Sequence, residues 1–298
     1  MSVQSIIDSR VKLVDNVSEL LTSNIPTVEK EILKTVLEEI KKLNFEGGRI
    51  KSDKAAEAFL LKLQKLVRVA LDKSKYPDIV KNYITNFDKV EANINALQSE
   101  VSDTKVDWRK INPTQRIMIT DITDKLIGSG VDANFTQPLR ELMYKQVMFN
   151  STYEQAADVI TKFIQGDEGK LGYLNRYAGQ VARDGINQYI GGIEQKIAIE
   201  IGANAILYTG SNLVCECGKA GCGSHCTRKQ CKRWTKMKYI LNENLQKEID
   251  WAFKYGSGMM LGTTPANFIQ NRGGWNCRHY AVGVWLDDDE IANLKNKV

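Results

Sequence analysis

The cysteines and histidines of this 298-residue chain are confined to one segment, residues 215–279. Thiols and imidazoles bind transition metals, and thiols also form disulfides. The 214 residues before this segment contain neither residue type. The eight side chains are those of Cys215, Cys217, Cys222, His225, Cys226, Cys231, Cys277 and His279. Any thiol or imidazole chemistry of the protein therefore belongs to its C-terminal third.

Four of these cysteines, Cys215, Cys217, Cys222 and Cys226, lie within twelve residues that also contain three glycines. A structural zinc ion is held tetrahedrally by thiolates about 2.3 Å away, and glycine turns allow nearby thiolates to converge. Clustered cysteines in a reducing cytoplasm favour a metal over disulfides. We predict a structural zinc site at these four residues. Disulfides and free thiols are the alternatives, because the spacing is not that of two C-x-x-C knuckles.

Positive charge is concentrated in the same part of the chain. Residues 211–240 contain seven basic residues and one acid, Glu216, although the whole chain carries only +5. A local excess of this kind attracts the phosphates of nucleic acid. We predict a DNA-contacting surface formed by Lys219, Arg228, Lys229, Lys232, Arg233, Lys236 and Lys238. An internal role is the alternative for Arg228 and Arg278, since a planar guanidinium suits buried carbonyls and carboxylates. Trp275 and Trp285 are interpreted as core residues.

The sequence contains only weak signals for catalysis. Cys277 and His279 are two residues apart, but a thiol enzyme would also need an exposed thiol of lowered pKa. A zinc nuclease or deaminase would need a general base beside an open coordination position, and Glu216 is the only acid in the cysteine cluster. The chain contains neither a Walker loop nor a Rossmann glycine fingerprint. We predict that the protein is not an enzyme.

The elements that must position these residues are mostly helices. Apolar residues recur at helical spacing and predict an elongated helical arm or bundle over residues 1–105 and further helices over 106–203. Helix starts are indicated at Ser52-Asp53 and at Asn112-Pro113. A glycine-interrupted helix over 173–201 precedes a strand at 205–208.

Residues 204–298 are predicted to form a small α+β cysteine-rich domain. The expected fold class is therefore mainly α with a small, zinc-stabilised α+β C-terminal domain. No segment is apolar enough to predict a membrane helix, and no secretory signal is recognised.

Four sequence elements follow one another along the second half of the chain. They are a glycine-punctuated helix containing Arg183, the stretch Tyr208-Thr209-Gly210-Ser211, the element Thr227-Arg228-Lys229-Gln230-Cys231, and Gly274-Trp275-Asn276-Cys277-Arg278-His279. In this order they resemble the minor head proteins of tailed bacteriophages, the head-morphogenesis family named for the F protein of phage Mu. The resemblance covers about residues 110–285 and is most specific at residues 276–279.

The resemblance implies a structural virion protein that lies inside the capsid near the portal and assists head assembly and DNA packaging or delivery. The implied partners are the portal protein, the major capsid protein and genomic DNA, with several copies in each virion. The protein is expected to be made in the host cytoplasm, and no enzymatic activity is implied for this domain.

Within the family pattern Cys231 and Cys277 form the characteristic pair and are expected to lie close together. They are predicted to form a second metal site with His279, or else a disulfide. In a third interpretation Cys277 is a buried small hydrophobe and His279 a hydrogen-bonded core residue. Two features depart from the family: Gln230 replaces the usual aromatic residue, and residues 215–226 stand as an insertion.

Two other functions compete with the virion hypothesis. The first is a zinc-stabilised nucleic-acid-binding module with a helical oligomerisation arm. The second is a metal- or thiol-dependent enzyme.

Overall fold

The computed structural model describes residues 2–102, 106–210, 227–274, 277 and 279–296. The chain is mainly helical, with a three-stranded sheet near the C-terminus, which confirms the predicted mainly α class with a small α+β C-terminal part. The predicted cluster of Cys215, Cys217, Cys222 and Cys226 lies outside the described residues.

Helices dominate the chain up to residue 200. They are α1 (Val3–Thr22), α2 (Ile25–Ile40), α3 (Lys54–Lys73), α4 (Tyr76–Thr85), α5 (Phe87–Val101), α6 (Trp108–Ile127), α7 (Ser129–Val131), α8 (Gln137–Met148), α9 (Tyr153–Gln165) and α10 (Tyr173–Glu200), with one π turn at Asp132–Thr136. Two short antiparallel hairpins lie between helices: β1 (Phe45–Glu46) with β2 (Arg49–Ile50), and β3 (Gly166–Asp167) with β4 (Lys170–Leu171).

The C-terminal part alternates strands and short helices. Its elements are β5 (Ala205–Thr209), α11 (Lys229–Met237), β6 (Tyr239–Leu241), α12 (Leu245–Tyr255), α13 (Phe268–Asn271), β7 (Tyr280–Val284) and α14 (Asp288–Lys295), with 3-10 turns at Asn242–Asn244 and Pro265–Asn267.

One of the two predicted helix starts is confirmed. The Asp53 side chain accepts hydrogen bonds from the backbone N–H groups of Ala55 and Ala56 and so caps α3. The start predicted at Asn112-Pro113 is wrong, because α6 begins at Trp108 and contains the proline. Asp107 lies just before this helix and accepts a hydrogen bond from the backbone N–H of Arg109, at 3.2 Å.

The residues group into two compact units that are discontinuous in sequence. Unit 1 comprises Met1–Val14, Asp88–Met118 and Ile186–Val298, and unit 2 comprises Asp15–Phe87 and Ile119–Gly185. This division differs from the linear one expected from the sequence, which placed boundaries at residues 105 and 203.

The difference has a physical basis within unit 1. The Arg10 side chain is fully buried and pairs with the carboxylate of Glu194 on α10. Its Nε also donates to Oδ1 of Asn93 on α5, at 2.6 Å. The N-terminal residues therefore share a core with elements distant in sequence, and hydrophobic periodicity does not report such pairings.

The sheet of unit 1 has the order β6-β5-β7 with antiparallel neighbours. Successive residues of the central strand β5 alternate between two cores, as the pleat requires. Ile206 and Tyr208 pack with Trp234 and Phe268 on one face. Ala205, Leu207, Leu241, Val284 and Leu286 form the second core on the other face.

Unit 2 contains a buried acid. Glu29 on α2 accepts a hydrogen bond from the backbone N–H of Asn175, in the first turn of α10, at 3.0 Å. Burial raises the pKa of Glu29 to about 7, and this hydrogen bond only partly opposes the effect.

Candidate metal centre

Three elements of unit 1 bring the predicted second site together. Tyr208 comes from β5, Cys231 from α11, and Cys277 and His279 from the stretch that leads into β7. The backbone pairing of β5 with β7 places Thr209 opposite Tyr280. Helix α11 packs against β5 through the Trp234 ring, which lies edge-on to the Tyr208 ring with centroids 5.2 Å apart.

The two sulfurs and the imidazole lie in mutual contact. The distance from Cys231 Sγ to Cys277 Sγ is 3.8 Å, and that from Cys277 Sγ to His279 Nδ1 is 3.7 Å. The potential ligand atoms of all three residues lie within 4.8 Å of one another, so this group can hold a metal ion. Cys231 and His279 are buried, and Cys277 is partly exposed.

Tyr208 joins the cluster without having been recognised from the sequence as a site residue. Its hydroxyl oxygen lies 3.3 Å from Cys231 Sγ and 3.5 Å from Cys277 Sγ. Its ring stacks on His279 with centroids 5.6 Å apart and planes at 19°. Burial and the neighbouring thiols raise the pKa of Tyr208 well above its ordinary value, so the hydroxyl keeps its proton and donates toward sulfur.

Two glycines make this close approach possible. A Cβ at Gly273 would lie 2.4 Å from Cys231 Sγ and 2.8 Å from Cys277 Sγ. Gly210 has a φ of +143°, and a Cβ there would lie 2.9 Å from Cα of His279. Any larger residue at either position would displace a member of the cluster.

Polar side chains fix the backbone around the sulfurs. Arg228 Nη1 donates to the carbonyl of Gly273 at 2.8 Å, which confirms the internal role considered for this arginine. Gln230 Nε2 donates to the carbonyls of Ser257 and Gly273, at 2.7 and 3.2 Å. Gln230 thus holds two loops against α11.

His279 is oriented through its backbone. The buried Arg272 donates to the His279 carbonyl at 3.3 Å and also to the carbonyl of Asn187. The Nε2 atom of His279 is buried and has no hydrogen-bond partner within the part of the chain that the structure describes. This nitrogen is therefore unsatisfied by the described protein groups. The prediction of a hydrogen-bonded core histidine is not met at this atom.

The pKa values of the two thiols are shifted in opposite directions. The hydrogen bond between the sulfurs holds the pKa of Cys277 well below its ordinary value, and His279 acts in the same direction. The same hydrogen bond, together with burial, raises the pKa of Cys231. Of the two thiols, Cys277 therefore ionises more readily, and the thiolate is the form that binds a metal.

Two of the three ligand separations fit tetrahedral coordination. Bonds of about 2.3 Å to sulfur and 2.0 Å to nitrogen place two zinc-bound thiolates about 3.8 Å apart, and a thiolate and an imidazole nitrogen about 3.5 Å apart. The observed separations are 3.8 and 3.7 Å. A disulfide would require the sulfurs to approach to about 2.05 Å. The donor set of two thiols and one imidazole is one that borderline-soft metals prefer.

The predicted DNA-contacting residues separate into two groups. Lys229, Lys232, Lys236 and Lys238 are exposed. Arg233 is exposed as well, and its guanidinium forms a two-pronged ion pair with the buried carboxylate of Glu248, with both N–O distances 2.7 Å. Arg228 donates a hydrogen bond to the carbonyl of Gly273, as described above. Lys219 lies outside the described residues.

One tryptophan corrects the sequence interpretation, and another makes a contact that the sequence did not predict. Trp285 is 57% exposed, so its prediction as a core residue is wrong, whereas Trp275 lies outside the described residues. Trp285 follows β7 at the point where the strand leaves the sheet, and strand periodicity does not show where backbone pairing ends. Trp251 on α12 lies beside Arg233, with the guanidinium carbon 4.8 Å from the ring centroid. The sequence carried no signal for this contact.

Comparison with known proteins adds no relative. No family model, curated protein or solved structure matches the chain. Among the described residues, no helix combines the length and apolar character needed to span a membrane.

Proposed function

We propose that the protein is a structural minor head protein of a tailed phage whose C-terminal part is held by zinc at Cys231, Cys277 and His279. It would act inside the capsid near the portal, contacting the portal or major capsid protein and the packaged DNA. The observation that carries the proposal is the convergence of two motif elements that lie 46 residues apart in sequence, with their sulfurs 3.8 Å from each other.

This convergence is what the resemblance requires of its most specific residues. The Thr-Arg-x-x-Cys element supplies Cys231 on α11, and the terminal Asn-Cys-Arg-His element supplies Cys277 and His279. Arg228 of the first element also binds the carbonyl of Gly273, next to the second element. The two motifs therefore act as one structural unit, which supports a shared origin for the pattern.

The surroundings of the cluster favour a structural ion over a catalytic one. Cys231 and His279 are only 2% and 4% exposed, and Tyr208 covers both sulfurs. Zinc supplies a rigid tetrahedral link between thiolates and imidazole, and a further ligand would complete its shell. Here that link would tie α11 to the chain entering β7. The Tyr208 hydroxyl would act as an outer donor that orients the thiolates.

The same helix connects the metal centre to DNA. The inner face of α11 carries Gln230, Cys231 and Trp234, all buried, and its outer face carries Lys229, Lys232 and Lys236. Zinc at Cys231 would therefore fix the helix that presents these lysines to phosphate.

Association with phage particles tests the proposed role. The full chain should co-sediment with assembled capsids that contain portal, and a Cys231→Ser/Cys277→Ser variant should do so poorly. Matched sedimentation with portal-free capsids identifies the docking partner. The proposal would be contradicted if the wild-type protein sedimented in the same way with and without capsids.

The exposed lysines of α11 also favour a second function, a zinc-stabilised nucleic-acid-binding module that works without a capsid. Tight, salt-sensitive binding to free DNA together with no particle association would select this alternative.

A further inference from the structure

We infer that α11 and α12 together form a surface for single-stranded nucleic acid, in which lysines hold phosphates and two aromatic rings stack on unpaired bases. The inference rests on the proposed DNA contact and specifies the form of nucleic acid that this contact recognises.

The first observation is a basic face with little opposing charge. Lys229, Lys232 and Lys236 lie three and four residues apart on α11, which places them on one side of the helix. Lys247 and Lys254 on α12 are also exposed.

The acid between these two helices is already neutralised. Glu248 on α12 is buried and accepts hydrogen bonds from Arg233 and from the indole N–H of Trp234, the latter at 3.1 Å. Asp250 is the exposed acid of α12, and it accepts a hydrogen bond from Gln246 at 2.8 Å. Five exposed lysines against this one acid leave a net positive surface.

The second observation is a pair of aromatic rings within this surface. Trp251 and Tyr255 are one helical turn apart on α12, with ring centroids 5.6 Å apart. Trp251 is half-buried, and Tyr255 is 49% exposed. The Arg233 guanidinium lies 4.8 Å from the indole centroid, and the Lys254 ammonium lies 5.1 Å from the phenol centroid. A positively charged side chain therefore lies beside each of the two aromatic rings.

This combination distinguishes between forms of nucleic acid. A duplex keeps its bases stacked inside and presents phosphates, for which the lysines alone would suffice. An unpaired base offers a free π face, and each base stacked on an aromatic side chain strengthens binding about tenfold or more. Partly exposed aromatic rings among phosphate-binding cations are typical of surfaces that bind single-stranded DNA or RNA.

The test compares labelled oligothymidine with a mixed-sequence duplex of the same length, by fluorescence anisotropy on the full chain at several salt concentrations. Trp251→Leu and Tyr255→Leu should each weaken binding to the single strand about tenfold. Duplex affinity should stay within about twofold. The salt slope should not change, because neither substitution alters the number of phosphates neutralised.

Phe253→Leu provides the matched control. Phe253 is a 43% exposed aromatic residue on the same helix, but two residues from each of the other rings and hence on another face. It should bind the single strand like the wild type. The Tyr255 variant keeps the test valid even if the Trp251 variant unfolds.

Unchanged single-strand affinity in folded Trp251→Leu and Tyr255→Leu proteins would overturn the inference while leaving DNA contact by the lysines intact. An equal loss for the duplex or in Phe253→Leu would overturn it as well. Failure of the wild-type protein to bind either form would contradict the proposed DNA contact itself.

Discussion

At the residue scale, the two arginines of the predicted DNA surface each bind another group of the protein. Arg228 binds a backbone carbonyl beside the metal centre, and Arg233 neutralises the buried Glu248. Burial opposes ionisation of Glu248, but its bonds with Arg233 and Trp234 outweigh that effect and lower its pKa. The planar fork of arginine suits both tasks, whereas the exposed lysines Lys229, Lys232 and Lys236 have no such partner role in the described contacts.

The Arg233–Glu248 pair provides the first prediction. Arg233→Gln leaves a buried carboxylate without its main partner, and we expect it to lower the free energy of unfolding by about 1–3 kcal/mol. Lys232→Gln, which removes an exposed neighbouring charge, should change it by less than about 0.5 kcal/mol. Urea denaturation at neutral pH measures both. Equal effects of the two substitutions would show that Arg233 has no special structural role.

Glu29 provides a prediction about pH. Its pKa is about 7 in the folded protein, above the ordinary value of 4.5, so the folded state binds more protons than the unfolded state between these values. The stabilising contribution of the protonated acid is fully present below about pH 4.5 and is lost as the pH rises through 7. Glu29→Gln should flatten this part of the stability curve, as thermal unfolding between pH 5 and 8 would measure. An unaltered pH dependence would refute the assignment to Glu29.

The site roles of individual residues could be predicted only where a recognised sequence motif includes those residues. Cys231, Cys277 and His279 were grouped in advance because the phage-like pattern includes them. Tyr208 belongs to the same pattern but was not assigned to the cluster, and Glu248 was not recognised as a partner of Arg233, since a tyrosine in a strand and a glutamate on a helix have many ordinary roles. Their partners are set by how β5, α11 and α12 pack.

At the element scale, α11 has two chemically different faces. Gln230, Cys231 and Trp234 attach it to unit 1, and Lys229, Lys232 and Lys236 face solvent. The bounds of strand β5 and of the long helix α10 were predictable from the sequence within about one residue, because apolar runs and glycine boundaries mark them. The start of α6 was not, because the cap at Asp107 is a weaker signal than Pro113.

The segment that closes the metal centre provides a prediction at this scale. Gly273→Ala would place a methyl group 2.4 Å from Cys231 Sγ, so the sulfurs would be forced apart. We expect at least a tenfold loss of zinc affinity in a chelator competition assay, the size expected when ligand geometry is disturbed. Gly179→Ala on α10 is the control, since its Cβ would meet only a methyl carbon of Thr22 at 3.2 Å. Equal zinc affinity of both variants would contradict the described geometry.

At the scale of the whole molecule, the chain forms two units from interleaved segments of sequence. The linear arm-and-domain division was the natural expectation from helix periodicity, which describes each helix separately. Pairings such as Arg10 with Glu194 depend on tertiary packing and assign the N-terminal residues to the unit that contains the metal centre. A destabilised metal centre should therefore also affect residues near the N-terminus.

The central claim is that zinc bound at Cys231, Cys277 and His279 holds the C-terminal fold. Native mass spectrometry of the full chain, expressed in cytoplasm and kept reduced, tests it most directly. The Cys231→Ser/Cys277→Ser variant should carry one zinc ion fewer than the wild type, whereas Cys215→Ser/Cys217→Ser should retain the ion lost by the first variant. Equal zinc content in the wild type and in Cys231→Ser/Cys277→Ser, or a wild-type mass lower by the two hydrogens of a disulfide, would contradict the claim.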